Sequence, residues 1–259
     1  PIVADAKTAL DEMLTHAAAV KSDAWVKSID EWKKEIPITM SGYEGMTPEK
    51  IINKINDLFP DSIVTTDVGQ NQLWTTQYIR MDGKRQFLTS GGLGTMGYGL
   101  PAAIGASIGN PGNPVICISG DGGAQMNIQE LATAHALETP VILCIFNNTY
   151  LGNVKQMQKM FYNKRYSSTC LRYSRSCNRQ CRIDGTCTGG DYVPDFVKLA
   201  ESYGCTGIRV ENEAQMDEAF KRAAENTKSV TLIEFMLDCE YDVYPMVPGG
   251  AALSDMMFG

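Results

Sequence analysis

The chain has 259 residues, 23 basic against 30 acidic side chains, and 44% apolar residues. A chain of this length buries roughly three quarters of its unfolded surface, and abundant aliphatics with 20% charged residues exclude disorder. The net charge of −7 argues against a nucleic-acid or anionic-membrane binder, and no apolar run reaches the roughly 18 residues of a transmembrane helix.

No basic-then-apolar leader is visible, and the chain opens at Pro1 rather than Met, which leaves an upstream targeting segment open. Two amphipathic helices are expected over Ala6 to Val20 and Asp23 to Lys34, followed by a polar break at Ile36 to Tyr43. Thr47-Pro48-Glu49 reads as a helix start: Thr47 caps, Pro48 suits the first position and Glu49 complements the dipole. Strand-like runs then follow at Ile63 to Thr66, Gln86 to Thr89, Val115 to Ile118, Val141 to Phe146, Gly207 to Val210 and Val230 to Phe235. Helix-length stretches lie between most of them, at Gln70 to Tyr78, Asn127 to Ala136, Pro194 to Tyr203 and Glu213 to Asn226. Short apolar strands alternating with helices predict an α/β fold, a parallel sheet with helices on both faces.

Four of the eight cysteines, Cys170, Cys177, Cys181 and Cys187, fall in a segment without apolar periodicity that also carries Arg172, Arg175, Arg179 and Arg182. A disulfide scaffold does not fit a chain this large, and a reducing, cytoplasmic setting is expected. The spacing C-x6-C-x3-C-x5-C lacks paired C-x2-C knuckles. Four thiols could still close around one zinc ion, or the segment could be a surface insertion with unliganded thiols. Either way it is expected to be peripheral to catalysis.

Ligands of open parallel sheets bind beyond the carboxyl ends of the strands. Three such ends are rich in glycine or amide side chains: Gly91 to Gly97, Gly120 to Gly123, and Asn147 to Gly152. Gly92-x-Gly94-x-x-Gly97 formally matches a dinucleotide fingerprint, but the acidic residue expected about 20 positions on has only Asp121 to supply it. Asp121 sits inside Gly-Asp-Gly-Gly, which disfavours the nicotinamide reading. Asp121 and Asn148 fit better together. Each follows a strand, 27 positions apart, with a helix between, so a crossover brings both to one edge of the sheet. Alone, Asp121 would read as a helix cap and Asn147-Asn148 as a turn. As a pair, one carboxylate and one carboxamide suit Mg²⁺ with phosphate oxygens completing its shell, and the glycines admit a diphosphate to backbone N–H groups. His16 and His135 lie on expected helices and receive no catalytic role.

Gly120-Asp121-Gly122 followed by Asn147-Asn148 resembles the thiamin-diphosphate signature. Thr66 to Gln70, Thr89 to Ala103, Met126 to Thr133 and Pro245 to Gly250 resemble, in order, the catalytic large subunit of acetolactate synthase (acetohydroxyacid synthase). The resemblance covers most of the chain, interrupted chiefly by the cysteine-rich segment. It implies that Asp121 and Asn148 ligate Mg²⁺ through side chains and Tyr150 through its carbonyl, with the Tyr150 side chain free to vary. Gly120, Gly122 and Gly123 then face the diphosphate, and Gly94 and Met96 the pyrimidine end, with Met96 as the apolar wedge that bends the cofactor. Val68, Gly69 and Gln70 form another cofactor loop, and Leu151, Gly152, Asn153 and Val154 follow the metal loop. Asn71 stands where the family often has His. Asn153 and Met157 replace residues beside the substrate channel, which bears on acceptor preference.

The same resemblance implies residues 1–44 as the end of a central domain with linker helices, and 45–259 as the cofactor-binding domain with an insert at about 170–190. The family's activating Glu lies on a separate pyrimidine-binding domain, so no catalytic residue is assigned here and the chain alone should not turn over. The implied reaction condenses pyruvate with pyruvate or 2-oxobutyrate in branched-chain amino-acid synthesis, with the cofactor as electron sink. The implied partners are small 2-oxo acids, a second copy across the cofactor site and a regulatory small subunit; any FAD belongs to the full-length enzyme rather than this domain. Another thiamin-diphosphate decarboxylase or carboligase, or a non-catalytic module on the same fold, are the alternatives.

Overall fold

Residues 1–175, 177, 192 and 194–258 are described by the computed structural model, and the chain divides into two compact units, Pro1–Thr39 and Met40–Gly259. In the first unit, Asp5 caps α1 (Ala6–His16) by accepting from the backbone N–H groups of Lys7 and Thr8 at 3.1 and 3.2 Å. The second helix, α2 (Asp23–Glu35), carries Trp25 and Trp32 edge to face, with ring centroids 5.3 Å apart. Neither helix buries a residue. Here α1 stops four residues short of the expected Val20: Ala17 is extended, and without a buried face the propensity of an alanine run does not carry the helix further.

The second unit begins as its sequence suggests. Thr47 Oγ1 accepts from Lys50 N at 3.3 Å, and Pro48 opens α3 (Pro48–Leu58). There follow β1 (Ile63–Thr66), α4 (Gln70–Tyr78), β2 (Gln86–Thr89), α5 (Gly99–Gly109), β3 (Val115–Gly120), α6 (Asp121–Ala124), α7 (Glu130–Ala136) and β4 (Val141–Asn147). The remaining elements are α8 (Gly152–Phe161), α9 (Phe196–Ser202), β5 (Thr206–Val210), α10 (Met216–Glu225) and β6 (Thr231–Met236). All six strands are parallel, in the order β2-β1-β3-β4-β6-β5. Every strand expected from the sequence is present. Two helices, α5 and α8, had no clear sequence signal; Gly99, Gly105 and Gly109 dilute the pattern of α5. Helix α7 begins at Glu130 rather than Asn127, whose side chain instead donates to Gly97 O at 2.9 Å. A short 3₁₀ turn, Glu213–Gln215, precedes α10.

Alternation along the strands sorts the core into two layers. Val64, Ile116, Ile118, Cys144, Phe146, Ile233 and Phe235 pack on one face with Ile51, Trp74 and Phe220 of the helices. Ile63, Val115, Cys117, Leu143, Ile145 and Leu232 pack on the other with Leu100, Leu131 and Phe196. Central strands buried on both faces are why they read as continuous apolar runs. The connection leaving β1 goes to one side of it, and β3 lies on the other. The β1/β3 gap is therefore a topological switch point, where open α/β sheets place their ligands. Among the described residues, no helix is long and apolar enough to cross a membrane.

Candidate cofactor site

A crevice opens at the carboxyl ends of β1, β3 and β4. It is lined by Val68, Gly69 and Gln70 after β1, by Gly120 to Gly123 after β3, by Asn148 and Tyr150 to Val154 after β4, and by Met96 from the loop after β2. Of the residues assigned to the cofactor or metal from the sequence, only Gly94 is not part of this lining, and Met157, expected beside the substrate channel, is not part of it either. Gly94 has φ +71°, and a Cβ there would stand 3.7 Å from Val68 Cγ2. Asn71, Trp74 and Phe146 also line the crevice, and the sequence had not marked Trp74 or Phe146.

Asp121 follows directly on β3 and is 1% exposed. Its Oδ1 accepts from Gly122 N at 3.0 Å, while Oδ2 is buried without a hydrogen-bond partner. Burial pushes its carboxyl up to about 8, opposed by the backbone N–H groups of Gly122 and Thr149. An unpartnered, buried carboxylate oxygen is costly unless a cation meets it. Across the crevice, Asn148 Oδ1 accepts from Tyr150 N, and its Nδ2 donates to Gln70 Oε1, each at 3.1 Å. Register brings these loops together, since β3 and β4 pair with Gly120 beside Phe146. Thr149, between Asn148 and Tyr150, takes a left-handed φ of +62°, and its N–H donates to Asn147 Oδ1 at 3.0 Å.

Close approach explains two glycines. A Cβ at Gly123 would overlap the Asp67 carboxylate, and one at Gly152 would overlap Gln70 Oε1 and lie 2.7 Å from Asn148 Nδ2. Asp67 is itself fully buried. Its carboxylate accepts from Gly97 N at 3.1 Å, Ser119 Oγ at 3.0 Å and Asn71 Nδ2 at 3.0 Å, tying the segments after β1 and β2 to the end of β3. Asn71 thus braces the site from behind, since it also donates to Ile118 O at 3.0 Å. The Tyr150 ring, taken from the resemblance as free to vary, is 7% exposed and lies 4.9 Å beneath the Lys155 ammonium.

The flanks of the cysteine-rich segment reach this site. Tyr150 pairs with Cys170 in an antiparallel bridge, and Leu171 N donates to Thr149 O at 2.9 Å. A Cβ at Gly122 would stand 3.4 Å from Leu171 Cδ1, so that side chain lies beside Gly122, though it is not part of the crevice lining. Tyr192, beyond the segment, accepts from Gln125 Nε2 at 2.8 Å, and its hydroxyl sits close enough to Asp121 for each to shift the other's proton affinity. Cys170 and Cys177 are half-buried; Cys181 and Cys187, and with them the zinc question, lie outside the described residues. Among the described residues, no group of three or more His, Cys, Asp or Glu side chains could hold a metal.

A glycine-lined crevice at the switch point of a parallel sheet, with an uncompensated carboxylate facing a carboxamide, defines a domain that takes a charged cofactor through loops. The chain belongs to the family described as thiamine pyrophosphate enzyme, C-terminal TPP binding domain, whose profile matches residues 67–235. Among similar curated proteins, a probable acetolactate synthase large subunit of Methanococcus aeolicus is 38% identical, covering 99% of this chain and 43% of its own length. An acetolactate synthase large subunit of Parasynechococcus marenigrum is 37% identical over 94% of this chain and 36% of its own length. An acetolactate synthase of Mycobacterium bovis is 36% identical over 97% and 40%. The chain spans well under half the length of each of these relatives.

Proposed function

We propose that the chain is the diphosphate- and Mg²⁺-binding part of an acetolactate synthase large subunit, which condenses pyruvate with pyruvate or 2-oxobutyrate. The observation that carries the metal half is Asp121 Oδ2, buried without a partner opposite Asn148. The donor set fits: oxygen ligands, few of them from protein, suit Mg²⁺ completed by phosphate oxygens. In this reading Asp121 Oδ2, Asn148 Oδ1 and the Tyr150 carbonyl hold the cation. Gly120, Gly122 and Gly123 present backbone to the diphosphate, and Leu151 to Val154 floor the same end. Val68, Gly69 and Gln70 form the opposing loop, with Gly94 and Met96 towards the pyrimidine and Met96 as the apolar wedge.

When bound, thiamin diphosphate supplies the electron sink needed to decarboxylate a 2-oxo acid. The chain's own residues bind and orient: the glycines permit close approach, the apolar walls exclude water, and Asp121 supplies the charge that holds the cation. A proton-moving Glu is expected from a separate pyrimidine-binding domain, residues 1–44 from the end of a central domain, and the complete site from a second copy. A regulatory small subunit, FAD in the longer enzyme and a cytoplasmic location belong to the same reading; the words "large subunit" in the relatives' names support the first of these. Calorimetry of thiamin diphosphate with and without Mg²⁺ tests it, with Asp121→Ala as control. Saturable Mg²⁺-dependent binding abolished by the substitution is expected; equal binding by both proteins would remove the metal assignment.

A further inference from the structure

Asn148 can serve a cation only through its oxygen, yet a carboxamide has two ends of nearly equal size and opposite polarity. Turned the wrong way, it would aim an NH₂ group at the metal. Something must choose the end. The Asn148 Oδ1 already accepts from Tyr150 N at 3.1 Å, while Nδ2 points to Gln70 Oε1 at 3.1 Å. The Tyr150 N–H, a main-chain donor, reads Oδ1 directly. Gln70, 5% exposed, reads the other end, and because it is a carboxamide too, the origin of that second reading lies one residue further.

There it ends in the main chain, which has no ambiguity: an N–H only donates and a C=O only accepts. Gln70 Nε2 donates to Tyr241 O at 3.1 Å and to Gln156 Oε1 at 3.0 Å. Gln156, 1% exposed on α8, has its own ends fixed by one residue: Oε1 accepts from Val243 N and Nε2 donates to Val243 O, each at 2.9 Å. Polarity therefore runs one way, from Val243 through Gln156 to Gln70 and on to Asn148, with Tyr241 O as a second reading of Gln70. Gly152 leaves room for the last pair, because a Cβ there would overlap Gln70 Oε1.

We propose that Gln70 is a positioning residue: it carries the amide polarity set by Val243, Gln156 and Tyr241 to Asn148 and, together with the Tyr150 N–H, holds Oδ1 rather than Nδ2 towards the cation. This rests on the metal reading given above and adds to it. The segment after β6 would thereby help set cation affinity without touching the ligand.

The decisive comparison uses a ligand with no wrong end. In the 259-residue chain, Gln70→Met should raise the Mg²⁺ concentration that half-saturates thiamin diphosphate binding about 10- to 100-fold, the usual cost of losing a group that orients a ligand. In an Asn148→Asp background either carboxylate oxygen serves, and the unsubstituted Gln70 Oε1 would repel it. There the same Gln70→Met change removes the same crevice-lining side chain but should cost markedly less, so the polarity is read from the difference between the two backgrounds. Mn²⁺ binding followed by electron paramagnetic resonance gives a second readout, and thermal melts confirm that each variant is folded. If Gln70→Met does not fold, Gln156→Met, outside the crevice lining, should show a smaller effect with the same dependence on background, since Tyr241 O still reads Gln70. Equal losses in both backgrounds would overturn this inference while leaving the metal site in place. No Mg²⁺ response in the unsubstituted chain would overturn the functional reading, and this inference with it.

Discussion

Asn147 Nδ2 donates to Glu234 Oε1 at 2.7 Å, joining the end of β4 to the middle of β6 one residue before the candidate ligand Asn148. Glu234 is 2% exposed, and its other oxygen accepts from Arg209 Nε on edge strand β5 at 2.8 Å. Arg209 in turn donates to Asp195 Oδ1 at 3.0 Å, and the same oxygen caps α9. A charged chain thus runs from the sheet edge to the root of the loop that carries Asn148.

Removing Arg209 strands a buried carboxylate, which costs about 3–5 kcal/mol in fully buried pairs. Arg209 is 39% exposed, so Arg209→Leu is expected to cost about 2 kcal/mol in urea unfolding. The double variant Arg209→Leu/Glu234→Gln should be more stable than Arg209→Leu alone, because the orphaned charge is gone while an oxygen remains for Asn147. A double variant less stable than the single would contradict this account.

Asp67 supplies a pH dependence. Burial raises its carboxyl above the ordinary value, only partly offset by Gly97 N–H, Ser119 and Asn71. The folded state therefore holds this proton more tightly than the unfolded chain does. Its contribution is fully present below the unfolded value of about 3.9 and is lost as pH rises through the folded value. The stability of the native chain minus that of Asp67→Asn should fall as pH is raised above about 4. Urea midpoints at matched pH values measure the difference; a difference that grows with pH would reverse the sign.

What the sequence showed, and what it hid, follows from range. The six strands were legible because each is a short apolar run between turn residues. Asp121 and Asn148 were legible because their spacing matches two strand ends and one crossover. Asp67 was visible only as part of a quoted motif; its buried carboxylate joins residues 30 and 52 positions away. Gln156 left no signal, because its partners Gln70 and Val243 lie 86 and 87 positions off and an isolated glutamine on a helix reads as surface. Helix α5 was hidden by glycines, one of which, Gly99, sits where a Cβ would be 3.0 Å from Asp67 N.

Two glycines should fail differently. Gly123→Ala drives a methyl into the Asp67 carboxylate and should cost about 1–3 kcal/mol of stability, the usual range for overpacking. Gly152→Ala pushes instead on the ends of the Gln70 and Asn148 side chains, at the mouth of the crevice. It is expected to weaken Mg²⁺-dependent cofactor binding more than it lowers the melting temperature. Melting and calorimetry on the same two preparations separate the effects, and the reverse ranking would show that the amide pair tolerates the methyl.

The cysteine-rich segment should divide in function between its flanks and its middle. Leu171 lies beside Gly122, its N–H binds Thr149 O, and Tyr192 bonds Gln125 next to the Asp121 loop. Trimming Leu171→Ala removes the apolar neighbour that supports the Gly122 and Thr149 loops and should weaken thiamin diphosphate binding by about 1–2 kcal/mol, roughly tenfold. Replacing residues 178–188 with a flexible glycine–serine linker keeps Leu171, Cys177 and Tyr192, and should leave that affinity within about threefold, or under 1 kcal/mol. Titration calorimetry of both variants decides the matter: tenfold weaker binding on replacing the middle, with Leu171→Ala silent, would place the segment's contribution to the cofactor in its cysteines and arginines rather than at its anchored ends.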